Sequence, residues 1–263
     1  MLKLVSIGKD QWMFENDPEQ ALAEFDCIDL AAEAYHSGKV ELAVEMLRQW
    51  LLEFPDSIEA CNTLGQIHES QNQNFDSYLV KREAVRIGLA AMPAKFNWKK
   101  SQLEWGFIEN RPFMRAYYAL GLELLDQKKL DEAAEVFERL LSVCPNDNIG
   151  ARCVLPEVYF LQGNYRGVIE LHSKYPDDML PEVTFGAALA TAMLCDLPKA
   201  KQMLAEAAER LPLVLKELKK KRHTRPKSVA EGMMTIGGAD QAYAYWEDFG
   251  QFWQNEAGIQ LLG

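Results

Sequence analysis

No stretch of this sequence approaches the roughly 18 apolar residues that a membrane-crossing helix needs. The opening MLKLVSIGKDQWMFEN has neither the apolar run nor the cleavage pattern of a secretory leader, so neither a leader nor a membrane partner is expected. A basic surface is missing too: 28 Lys and Arg stand against 39 Asp and Glu, a net charge of −11. Nucleic-acid binding depends on cations that displace counterions from phosphates, so no nucleic-acid partner is expected. The phosphate loop GxxxxGK[ST], the nucleophile elbow GxSxG and the zinc-protease HExxH are all absent. Gly237–Gly238 is a lone pair that reads as a turn, and Asp177–Asp178 follows a proline and reads as a cap. The four histidines are far apart; His36 and His68 lie near predicted helix ends, where surface or capping roles outweigh a ligand pair. Five scattered cysteines, an odd number, suit free thiols in a reducing compartment, and the cytoplasm is the expected location. The expectation is a non-enzyme with no cofactor and no metal.

What is present is a repeat. In DLAAEAYHSGKVELAVEMLRQWLLEFP (29–55) an apolar stripe at helical spacing runs to Gly38, and a second passes through Ala43, Leu47, Trp50 and Leu51 to Pro55. In YYALGLELLDQKKLDEAAEVFERLLSVCP (117–145), Leu120, Gly121, Ala133, Phe137, Leu140 and Pro145 fall at the same offsets. This resembles the tetratricopeptide repeat, a helix–turn–helix of about 34 residues with small residues where its A and B helices cross. Gly121 and Ala133 occupy that crossing, and the terminal proline, lacking an N–H, ends helix B. Three weaker copies start near residues 58, 150 and 181; Pro156 replaces a small residue in one of them and predicts a bend or a late start. Cys27 and Cys61 sit 34 residues apart at the same helix A position, a packing position.

The segment CPNDNIGARC (144–153) raises a metal-loop reading, but zinc would need two more soft ligands close by. A joint between repeats fits better: Pro145 ends one helix B, and Asn146, Asp147 and Asn148 supply turn and cap chemistry for the next helix A.

The expected fold is all-α: five helical hairpins in a tetratricopeptide-type superhelix, an α-solenoid with a non-repeat insert and a C-terminal capping tail. Residues 1–93 hold the N-terminal segment and two repeats, and 113–214 hold three more. Between them, 94–112 breaks the period and carries Phe96, Trp98, Trp105 and Phe107, a structural plug or the wall of a groove. Residues 215–263 follow: a basic stretch, KELKKKRHTRPK (216–227), reads as a solvated helix end or a docking patch, and an amphipathic segment through Tyr245, Phe249 and Trp253 reads as a cap on the last repeat.

Over roughly residues 94–263, LEWGFIENRPFMRA (103–116), CPNDNIGAR (144–152) and the run from LPLVLKELKKKR to GGADQAYAYWEDFGQFW are similar to a group of uncharacterised bacterial repeat proteins. These in turn resemble the cytosolic repeat region of the suppressor-of-tumorigenicity-seven family. The resemblance implies a helical-repeat fold and brings no catalytic residue and no defined ligand.

A helix A residue at repeat position 2, 5, 9 or 12 would line the concave surface of such a superhelix. Here these include Asn62, Gln66, Arg115, Tyr118, Leu122, Glu157 and Phe160. Amides suit a peptide backbone and an arginine suits a carboxylate. The lysine and asparagine clamp that grips chaperone C-termini is missing, since repeat one offers Phe25, Ile28 and Ala32 there. The expected function is a scaffold that binds an extended peptide or protein, acidic or carboxylate-ended, with Arg115 as its anchor; the alternative is a structural subunit of an oligomer.

Overall fold

The computed structural model describes residues 1–227 and 233–263, and its chain divides into two compact units, Met1–Ala151 and Arg152–Gly263. The fold class is all-α, of tetratricopeptide type. Five A helices, α1 (Pro18–His36), α3 (Ile58–Ser70), α5 (Arg111–Asp126), α7 (Ala151–Gln162) and α9 (Pro181–Met193), each lead through a tight turn to a B helix. The B helices are α2 (Val40–Glu53), α4 (Asn74–Ala90), α6 (Leu130–Val143), α8 (Tyr165–Lys174) and α10 (Leu197–Arg210).

Each A helix is stopped in the same way. One residue just past its end takes a positive φ: Gly38, Asn72, Lys128, Gly163 and Cys195. The next N–H then reaches back five residues, Lys39 to Ala34, Gln73 to His68, Lys129 to Leu124, Asn164 to Tyr159 and Asp196 to Thr191, over 2.8–3.2 Å. This 6→1 bond closes the orphan carbonyls of the helix end and reverses the chain. Glycine adopts that conformation freely, and it stands at two of the five places.

In unit 1 the A helices lie side by side, with α3 packing on both α1 and α5. The crossing of α5 and α6 shows why glycine is needed. A Cβ on Gly121 would lie 2.7 Å from Phe137 Cζ and 3.0 Å from Val136 Cγ1.

The N-terminus departs from the all-helical expectation. Lys3–Ser6 (β1) and Trp12–Glu15 (β2) form an antiparallel hairpin, with Leu4 opposite Phe14. The hairpin meets the aromatic insert: Trp12 N donates to Gln102 O at 3.0 Å and Gln102 N donates to Asp10 O at 2.7 Å. Trp98 of the insert stacks on Tyr117, with centroids 5.3 Å apart, and the Arg139 guanidinium covers its ring at 5.2 Å. Leu103 is buried, and its N–H bonds Val143 O. The insert is a packed plug against α5 and α6.

CPNDNIGARC is a joint. Asp147 takes φ 51°, and its Oδ1 accepts the N–H groups of Gly150 and Ala151, the latter at 2.7 Å, at the start of α7. Pro156 lies inside α7, five residues after that start, so the helix does not begin late.

In unit 2, α9 is buried nearly all round. The tail closes over it: α11 (Pro212–Leu218) packs on α12 (Ala239–Trp253), and α12 and α13 (Glu256–Leu262) both contact α9. Tyr245, Phe249 and Trp253 are buried, and Trp253 Nε1 donates to Tyr245 Oη at 3.0 Å. Of the basic stretch, His223 stacks on Trp246 at 3.7 Å and Arg225 pairs with Glu247 at 3.6 Å, while Lys219, Lys221 and Arg222 are exposed. Beside the cap, Glu182 Oε2 is buried without a hydrogen-bond partner. Burial first, and then repulsion from Asp248 and Asp178, push its carboxyl up to about 7.

Three substitutions test these devices by denaturation. Gly121→Leu overpacks the α5–α6 crossing and lowers stability by about 1–3 kcal/mol. Lys128→Gly removes the cost of a left-handed side chain and raises stability by about 1 kcal/mol. For Glu182 the folded protein holds the proton more tightly than the unfolded chain does. Stability is therefore lost as pH rises from about 4.5 to about 7, by about 3 kcal/mol in all. Glu182→Gln is expected to flatten that dependence and to be the more stable form at pH 8.

Candidate functional site

The residues that face outward from the A helices of unit 1 form the candidate site. Position 2 of the second repeat is Glu59 and of the third Arg115. Because α3 and α5 are neighbours, the two side chains meet: Arg115 Nη2 lies 2.6 Å from both carboxylate oxygens of Glu59. Both remain about a third exposed. Arg115 is thus not free: its partner is Glu59. Asn62 is a correction: only 7% exposed, it spends its amide on Pro112 O at 2.9 Å and on Glu59 Oε2 at 3.3 Å. It fastens α3 to the first turn of α5.

Three residues of the expected set keep an accessible surface here. Gln66 is exposed, Leu122 is 37% exposed, and Tyr118 is half-buried with its ring edge-on to Phe137 at 5.6 Å. The same face continues on α1 with Phe25, 63% exposed.

Two members of the set belong to unit 2. Glu157 is half-buried. Phe160 is a second correction: it is 6% exposed, stacked on Phe252 at 5.0 Å and edge-on to Phe249, so the capping tail seals it.

Sequence reasoning missed a cleft of about 350 Å³ between α4, α5 and the start of α6, lined by Tyr78, Arg82, Leu89, Leu120 and Glu123 among others. Leu120 is half-buried at its edge. Arg82 Nη1 bonds the Tyr78 hydroxyl at 2.6 Å, and its guanidinium lies over that ring. The signal was present as the i, i+4 pair Tyr78–Arg82 on a helix B.

The titratable groups beneath the face are structural. Burial raises the Glu24 carboxyl, which bonds Ser57 Oγ. Cys61 is pushed up to about 12, chiefly by burial, which makes it an inert thiol. His68 is buried with Nδ1 at 2.5 Å from Gln73, and His36 is exposed and bonds Ala32 O. Among the described residues no group of three or more His, Cys, Asp or Glu could hold a metal ion, and no helix is long and apolar enough to cross a membrane.

Comparison with known proteins places this geometry. The crystal structure of YrrB, described as a TPR protein with an unusual peptide-binding site, superposes with a TM-score of 0.52 at 16% identity, over 71% of this chain and 85% of that one. The crystal structure of MamA gives 0.52 at 16% identity, over 77% of this chain and 98% of that one. Both likenesses are of fold. No curated protein matches the sequence. Residues 45–245 match the Tcf25 family, described as transcriptional repressor TCF25. That match is to a family other than the suppressor-of-tumorigenicity-seven one.

Proposed function

The chain belongs to the Tcf25 family, and from that premise we propose that it is a non-catalytic scaffold that binds an extended peptide or partner protein on the A-helix face of unit 1. The observation that carries the reading is the row of accessible side chains on adjacent helices. Gln66 offers an amide to a peptide backbone, Tyr118 and Leu122 offer an aromatic and an apolar surface, and the Arg115–Glu59 pair stands at the N-terminal end of the row. An arginine and an aromatic in one row are among the residue types enriched at protein interfaces.

The ligand class follows from Arg115. An acidic or carboxylate-ended peptide competes with Glu59 for the same guanidinium. The exchange costs little, because the pair is partly exposed and partly screened by water. A net charge of −11 argues against direct contact with nucleic acid, so any part in repression runs through protein partners. The cytoplasm is the proposed location.

The experiment is a pair of opposed substitutions measured against a captured partner by calorimetry. Arg115→Ala is expected to weaken binding at least tenfold, since a charge-assisted contact is worth about 1.5–3 kcal/mol. Glu59→Gln frees the guanidinium and is expected to tighten it. A loss of melting temperature in both variants with unchanged affinity would make the pair a purely structural stitch.

A further inference from the structure

The A helices of unit 1 are not equally covered. Helix α3 has α1 and α2 on one side and α4 and α5 on the other. Helix α1 packs on α2 and α3, and the β-hairpin that precedes it in the chain turns elsewhere, to Ala91 O, Phe113 and Asn110. The arc of α1 left open carries Leu22, Phe25 and Leu30, which are 67%, 63% and 55% exposed. Asp26, Asp29 and Glu33 stand on the same arc, all exposed, and none has a cationic partner among the described residues. From Asp17 to Glu53 nine acidic residues face only Lys39 and Arg48, so these two helices hold most of the chain's net charge of −11.

We propose that the open arc of α1 is a docking surface for a basic amphipathic helix of a partner protein. The occupant is a helix because α1 presents rows of side chains three and four residues apart, the same relief on which one helix receives another elsewhere in this fold. Its apolar residues seat on Leu22 and Phe25. Its Lys and Arg residues face Asp26, Asp29 and Glu33, whose carboxylates lie one turn apart and repel one another until a cation separates them. An acidic or neutral helix would meet that repulsion unrelieved. The surface adjoins the peptide face proposed above, to which Phe25 also belongs, but uses neither Gln66, Arg115, Tyr118 nor Leu122; Arg115→Ala is expected to leave the helix bound, which separates the two proposals.

A display library of helical peptides of about 20 residues, panned on the full chain, tests the proposal. Counter-selection uses two double variants, Leu22→Ser with Phe25→Ser and Asp29→Asn with Glu33→Gln. All four side chains are exposed, and circular dichroism with a thermal melt checks that the variants fold. Enriched peptides are expected to carry apolar residues at helical spacing and an excess of Lys and Arg. Each double variant is expected to bind them at least tenfold more weakly, and raising salt from about 0.05 M to about 0.5 M to weaken them further. The proposal is overturned if the enriched peptides are neutral or acidic, or if they bind the variants as tightly. Sedimentation that shows a wild-type dimer dispersed by Leu22→Ser with Phe25→Ser also overturns it, because a second copy then covers the arc.

Discussion

The buried amide of Asn110 holds unit 1 together. It has no solvent exposure. Its Oδ1 accepts the N–H of Phe14 at 3.0 Å, and its Nδ2 donates to Trp12 O and Glu104 O at 3.2 and 3.1 Å. An amide has two donors and one acceptor oxygen, and here each is used on main chain. Three parts of the chain therefore meet at one side chain: the second strand, the aromatic insert and the start of α5. Pro112, two residues on, opens α5 and gives its carbonyl to Asn62. One turn later Arg115 reaches Glu59. The alignment of α3 with α5, and so the face on which the candidate site lies, follows from how Asn110 anchors the entry to α5.

The helical hairpins were legible because their cause is local. Apolar spacing, a small residue at each crossing and a stop within four residues of each helix end all lie inside one repeat. The strands were not legible. Lys3–Ser6 and Trp12–Glu15 are four residues each, too short for an alternation to stand out, and the groups that hold them are Gln102 and Asn110. Pairing over nearly a hundred residues leaves no trace in a periodicity. The partner of Arg115 required reading repeat two against repeat three, which sets Glu59 in register with it. Phe160 failed for another reason: the tail that covers it begins more than fifty residues later.

The segments that looked most distinctive turn out to be joints. In ENRP, Asn110 binds the hairpin, Arg111 bonds Trp105 O and covers that ring at 5.2 Å, and Pro112 starts a helix. In PNDN, Asp147 takes a left-handed turn and caps α7. Both lie within the span that matches the family. A likeness built on such residues reports shared architecture, and says little about which side chains a partner touches.

The hairpin's dependence on Asn110 bears on how the chain is made. Each helical pair closes on contacts within about 35 residues and packs on the next pair soon after both have left the ribosome. The strands at residues 3–15 are made well before the groups that hold them, Ala91, Gln102 and Asn110, which follow roughly 90 residues later. At about 5–20 residues per second they wait on the order of 5–20 s. For that interval Leu4, Trp12 and Phe14 are an uncovered apolar ribbon. Until those partners arrive they are open to a chaperone, although they end among the best-buried residues.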